Sequence, residues 1–188
     1  MSGKGVKAPE LDVVSWLNTT QPLTLAGLRG KVVVLHAFQM LCPGCVSHGL
    51  PQAAAIHQLY PVDEVQVIGL HTVFEHHSVM TLDALQAFVH EYRLRFPIAV
   101  DRPSASSAIP HTMQKLDLEG TPSLLLIDKQ GFIRTHHFGR LSDLQVGNMI
   151  GQLLMEPASL SPSSPSGTEP AATPQTPGGQ CSEDGCSI

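Results

Sequence analysis

Lys31-Val-Val-Val-Leu-His-Ala-Phe38, followed at once by Gln39-Met-Leu-Cys-Pro-Gly-Cys45, decides how this chain is read. The first eight residues are a continuous apolar, β-branched run opened by Gly30, the pattern of a strand buried on both faces at the centre of a sheet. After Pro43 the periodicity changes. Val46, Leu50, Ala53, Ala54, His57 and Tyr60 recur every three or four residues, which predicts a helix with Pro43 in its first turn, where a missing N–H costs nothing. Gly49 and Pro51 disturb that helix. Cys42 thus stands at a strand-to-helix junction, near unpaired backbone N–H groups and the positive end of the helix dipole, which favour thiolate over thiol. Cys45 lies one turn inward, close enough to close a disulfide onto Cys42. The spacing suits attack by Cys42 on a substrate disulfide and resolution of the mixed disulfide by Cys45. Two other readings stand beside this one. A pair of core cysteines would bury a Cys-Pro-Gly-Cys turn, and a zinc site needs about four ligands.

Working outward, Val65 to Leu70 reads as a second buried strand. Thr81 to Leu94 reads as a helix capped by Thr81, with Leu82, Leu85, Phe88, Val89 and Tyr92 on its apolar face. Pro97 leads into a third strand, Ile98 to Val100, and Ile109 to Leu116 is a short helix. Ser123 to Asp128, the turn Lys129-Gln130-Gly131, and Phe132 to Phe138 predict an antiparallel hairpin. Ser142 can cap a last helix with Val146, Met149, Ile150, Leu153 and Leu154 facing the core. The order β-α-β-α-β-α-β-β-α argues for an α/β fold, a mixed central sheet with helices on both faces.

Of the 188 residues, 42% are hydrophobic and 14% charged, as in a soluble globular protein. A net charge of −5 and the lack of a Lys/Arg cluster speak against nucleic acid as a partner. No run is long enough to span a bilayer or to serve as a signal-peptide core, so neither a membrane nor export is expected, and a cytoplasmic location is. Residues 1–156 read as one domain. From Pro157 to Gln180 the composition turns to Pro, Ser, Thr and Gly, which predicts a disordered tail, 157–188, that ends in the pair Cys181 and Cys186. A linker of about 24 residues reaches on the order of 25–30 Å, enough to touch Cys42. The pair can relay electrons to the core dithiol, or scavenge metal, or merely be exposed.

Gly30-Lys-Val-Val-Val-Leu-His-Ala-Phe-Gln-Met-Leu-Cys-Pro-Gly-Cys45, with Gly120-Thr-Pro-Ser-Leu-Leu-Leu-Ile-Asp-Lys-Gln-Gly131 about 80 residues on, resembles the thioredoxin-like superfamily, in particular the TlpA/ResA branch and, more distantly, the peroxiredoxins. Ala8-Pro9-Glu10 and Leu23-Thr-Leu-Ala-Gly-Leu-Arg-Gly-Lys31 are similar too, so the resemblance covers residues 6 to 155. It implies a thioredoxin-like fold and a thiol–disulfide oxidoreductase, a reductase in the first instance, that needs no cofactor. It also implies protein disulfide substrates and a thiol electron donor of the thioredoxin, glutathione or reductase type. Pro122 would be a cis-proline facing the cysteines, and the Thr121 backbone would pair with an extended substrate segment. The alternative is a trans turn proline.

Departures from the family pattern define the open questions. Leu41 replaces the aromatic before the first cysteine, and Gln39 the second member of a Phe-Trp pair. Pro51 lies one residue farther from Cys45 than the family's helix-kinking proline, so that Gly49 can accommodate a bulge. His36 stands where thioredoxins carry a buried acid, and can exchange the proton of Cys45 or be an ordinary core histidine bonded to a backbone carbonyl. In a peroxiredoxin alignment Cys45 would be the peroxidatic cysteine, with Phe38 and Cys42 in place of that motif's Pro and Thr. Ten histidines are many, and Cys42, Cys45 and His48 offer a copper-binding alternative, with His71, His76 or His77 as a further ligand; solvated histidines are the commoner explanation, as for His136 and His137.

Overall fold

Two periodicities, alternation in the strands and three-to-four spacing in the helices, are satisfied together by a six-stranded sheet in the order β1-β4-β3-β2-β5-β6. The computed structural model describes residues 5–157. The strands are β1 Val13–Leu17, β2 Val32–Phe38, β3 Val65–His71, β4 Ile98–Asp101, β5 Ser123–Ile127 and β6 Ile133–Phe138. The central strands β2, β3 and β4 are parallel, while β1 joins β4, β5 joins β2 and β6 joins β5 in antiparallel pairs. Every residue of β2 is buried, as its unbroken apolar run predicts.

Alternation along β2 divides the core in two. Val32, Val34 and Phe38 face a cluster built with α1 (Leu50–Leu59), α2 (Leu82–Glu91) and α4 (Asp143–Met155). Val33, Leu35 and Ala37 face the opposite cluster, built with α3 (His111–Lys115) and apolar residues of the N-terminal segment such as Leu25 and Leu28. The crossovers from β2 to β3 and from β3 to β4 step in one direction along the sheet, so two right-handed connections deliver α1 and α2 to the same face.

Local signals account for the element boundaries. Thr81 Oγ1 accepts from the Ala84 N–H at the start of α2, and Ser142 and Gln145 form a reciprocal capping box on α4. The hairpin turn is held by Asp128 Oδ1, which accepts from the Gln130 and Phe132 N–H groups, with Gly131 at φ +86°. Asp101, buried at the end of β4, accepts from the Thr112 and Met113 N–H groups and from Thr72 Oγ1 and so anchors α3. Burial raises its pKa, and these hydrogen bonds oppose that rise.

Three expectations are corrected. β1 is absent from the predicted order: it is a half-exposed edge strand whose register shifts between Val13 and Ser15, so it lacks a clean alternation. Leu82 and Tyr92 are exposed, because α2 buries only the Leu85–Val89 stripe, and Tyr92 stacks on Phe88 at 4.3 Å. Phe132 stands outside β6, which begins at Ile133, and makes an isolated antiparallel bridge to Lys7 instead. No helix among the described residues is long and apolar enough to cross a membrane. The predicted tail beyond Pro157, with Cys181 and Cys186, lies outside the described residues.

Candidate active site

The strand-to-helix junction opens with a widened turn. After β2 the chain enters helical conformation at Pro43, passes through a π-turn over Cys45–Gly49, and continues directly as α1. The turn is closed by the Leu50 N–H donating to the Cys45 carbonyl, five residues back, and Pro51, at the start of α1, tolerates its missing N–H there.

The two sulfurs lie in different environments. Cys42 is half-buried and Cys45 fully buried, and both are free thiols. The Cys45 N–H donates to Cys42 Sγ at 3.2 Å, which aims a positive dipole end at the outer sulfur. Cys42 Sγ in turn lies 3.4 Å from the Thr121 carbonyl oxygen, to which its S–H donates. Cys45 is pushed up to about 12, first by burial and then by its hydrogen bond and charge interaction with Cys42. The inner sulfur therefore keeps its proton while the outer one faces solvent.

Thr121 and Pro122 close over this pair through a cis peptide bond. Their approach depends on Gly44: a Cβ there would lie 3.2 Å from Pro122 Cδ. Leu41 and Phe138 are exposed apolar side chains of the neighbouring loop and strand, with Phe138 packed on Gly120. Gln39, buried, ties the β3–α2 loop to the site: its Oε1 accepts from the Phe74 N–H, its Nε2 donates to Glu75, and its carbonyl accepts from the Cys42 N–H.

His36 lies beneath the π-turn on the same sheet face as Phe38. Its ring packs against Gly49, where a Cβ would meet Cε1 at 3.0 Å and Nδ1 at 3.3 Å. Nε2 lies 3.5 Å from Gln52 Oε1, whereas Nδ1 is buried with no partner among the described residues. Burial lowers the pKa of His36 to about 4, against the opposing effect of Gln52, so the ring is neutral at pH 7. A cleft of about 160 Å³, lined by His36, His48, Gln52 and Arg140 among others, leads from solvent to this ring. The core-histidine alternative, a ring bonded to a backbone carbonyl, does not describe what is seen.

The copper-binding alternative is corrected. Among the described residues no group of three or more His, Cys, Asp or Glu side chains is placed to hold a metal ion. The widened turn leaves His48 exposed on the cleft while Cys45 points into the core. Sequence reasoning singled out Cys42, Cys45, His36, Thr121 and Pro122, which the fold brings to one end of the sheet. It missed Gln52 and Asp143, which complete the surroundings of His36; nothing in the spacing of 36, 52 and 143 announces their meeting.

A free dithiol at this junction of a mixed sheet defines the class: a thioredoxin-like oxidoreductase. Residues 5–136 match the AhpC/TSA family, and the chain belongs to that family. It is similar to a thioredoxin-like superfamily protein of known crystal structure, with 56% identity, TM-score 0.80, and coverage of 82% of this chain and 99% of that one. It is also similar to a thiol-disulfide isomerase from Corynebacterium glutamicum, with 53% identity, TM-score 0.76, and coverage of 80% and 98%. NHL repeat-containing protein 2 of Homo sapiens is 30% identical over 121 residues, 63% of this chain. The chain spans only 15% of that relative's length.

Proposed function

We propose that the protein reduces disulfides in protein substrates through the Cys42/Cys45 dithiol and is recharged by a thiol donor of the thioredoxin, glutathione or reductase type. The observation that carries this reading is the asymmetry of the pair: one sulfur accessible and hydrogen-bonded by the Cys45 N–H, the other buried and held protonated. Cys42 attacks a substrate disulfide, forming a mixed disulfide and releasing one substrate thiolate, which takes up a proton. Cys45 loses its proton and attacks Cys42 Sγ. The Cys42–Cys45 bond forms, the bond to substrate breaks, and the second substrate thiol departs, so two electrons pass to the substrate. Thr121 and Pro122 line the approach to Cys42, and Leu41 and Phe138 give that approach an apolar rim suited to polypeptide. The 53% identical thiol-disulfide isomerase supports the same chemistry.

A thiol peroxidase is the weaker reading. It would need Cys45 as an accessible thiolate, and that residue is fully buried with its proton held more tightly than usual. The test is insulin reduction with a chemical thiol donor. Cys42→Ser is expected to abolish turnover, and Cys45→Ser to accumulate the mixed disulfide. Retained turnover in Cys42→Ser would sink the assignment. A reduction potential near about −270 mV would fix the direction as reductive, and one near about −120 mV as oxidative.

A further inference from the structure

The β5–β6 hairpin turn clasps the exit of α4. Lys129 Nζ donates to the Leu154 carbonyl at 2.7 Å and to the Glu156 carbonyl at 3.0 Å, Arg134 pairs with the Glu156 carboxylate at 2.6 Å, and Gln130 Nε2 donates to the Pro157 carbonyl at 2.9 Å. These contacts fix the point from which the rest of the chain continues. The start of α4 stands at the dithiol instead. There the Gly139 N–H donates to the Pro122 carbonyl at 2.8 Å, and the neighbouring Thr121 carbonyl lies 3.4 Å from Cys42 Sγ. The 13 residues of α4, at about 1.5 Å each, set the two places about 20 Å apart. From Pro157 to Cys181 run about 24 residues rich in Pro, Ser, Thr and Gly, and the root-mean-square reach of such a linker is on the order of 25–30 Å. Effective concentration is maximal when reach matches span, so the second dithiol is spaced to meet Cys42 of its own chain.

Charge favours the same meeting. Cys181-Ser-Glu-Asp-Gly-Cys186 carries two adjacent carboxylates, Glu183 and Asp184. The cleft beside Pro122 is lined by Arg140, which is exposed and in no ion pair among the described residues. The acid of that cleft, Asp143, is engaged by Gln52. We propose that Cys181 and Cys186 are a second redox site that recharges the first: the tail seats its acidic segment at Arg140 and reduces the Cys42–Cys45 disulfide. This rests on the oxidoreductase reading above. One tail thiolate attacks Cys42 Sγ, the sulfur that is not fully buried; the Cys42–Cys45 bond breaks, and Cys45 leaves as a thiolate and takes up a proton. The other tail cysteine then loses its proton and attacks the first. The Cys181–Cys186 bond forms, and the Cys42 thiolate is released. Two electrons pass from tail to core, and the external thiol donor restores the tail dithiol.

The experiment counts electrons in the full chain. Reduced with dithiothreitol and then freed of it, each wild-type molecule is expected to reduce two equivalents of insulin disulfide, the double variant Cys181→Ser/Cys186→Ser one, and Cys42→Ser none. A single equivalent from the wild type overturns the proposal. So does an equivalent delivered by Cys42→Ser at the wild-type rate, since the tail would then act by itself. On a Cys45→Ser background, which stops the return attack, Cys181→Ser or Cys186→Ser should leave the remaining tail cysteine linked to Cys42 after mild oxidation. Peptide mass spectrometry without reduction reads that link, whose yield should not depend on protein concentration. Its absence from both variants, or a yield that rises with concentration, overturns the relay. Arg140→Glu is expected to slow delivery of the second equivalent about tenfold at low salt, and an unchanged rate overturns the seating at Arg140. Failure of the oxidoreductase reading looks different: Cys181→Ser/Cys186→Ser would then deliver no equivalent at all.

Discussion

His36 and His71 are a matched pair inside one core. Each sits on a central strand, each is almost fully buried, and each has one ring nitrogen with no partner among the described residues. Burial lowers both to about 4. Their neighbours differ. His71, at the end of β3, lies against the Phe38 ring at 5.3 Å, and its Nε2 has no hydrogen-bond partner among the described residues. His36 has Gln52 on one nitrogen, a glycine at the other, and a cleft to solvent. Burial alone makes both histidines neutral, whereas only His36 has a polar side-chain partner and a cleft beside it.

The largest effect expected of this pair is on stability and should be shared. Both folded pKa values lie below the unfolded value of 6.5, so between about pH 6.5 and 4 the unfolded chain binds protons that the folded one refuses. Stability is thus full above pH 6.5 and falls as pH drops towards 4, by about 3 kcal/mol per histidine. Asp101, whose pKa is raised in the fold, works in the opposite sense. Urea unfolding at pH 7 and 4.5 checks this, and His71→Phe should remove about half of the acid loss without changing activity.

Gly49→Ala probes the asymmetry with the smallest expected change. Its backbone, φ −62° and ψ −51°, is ordinary helix, so alanine gains about 0.5–1 kcal/mol of propensity. The new Cβ would lie 3.0 Å from His36 Cε1 and 3.3 Å from Pro122 Cβ, and crowding of that kind costs about 1–3 kcal/mol. Crowding wins, and a net loss of about 1 kcal/mol by chemical denaturation is expected, with a displaced His36 ring resonance and no change at His71.

Much of the fold is legible in the chain. The unbroken apolar run of β2 can only be a central strand, and the Thr81 and Ser142 caps fall where the helical periodicity starts. The displaced Pro51 points to a bulge at Gly49, and the π-turn ends on that residue. β1 was illegible because it is short, half-exposed and out of register at Val13/Ser15; only its pairing with β4 makes it a strand. The copper-binding alternative failed for a related reason. Cys42, Cys45 and His48 are evenly spaced in sequence, but the widened turn sends their side chains to different environments.

The sequence by itself determined the dithiol, its place between a buried strand and a helix, and the histidine six residues before it, because these depend on local spacing and on which residues can be buried. The tertiary structure alone decided which sulfur is buried and what stands around that histidine. Thr121, Gln52 and Asp143 come from a loop and two helices distant along the chain, and their meeting depends on how the helices cross the sheet, a packing outcome that no local pattern encodes.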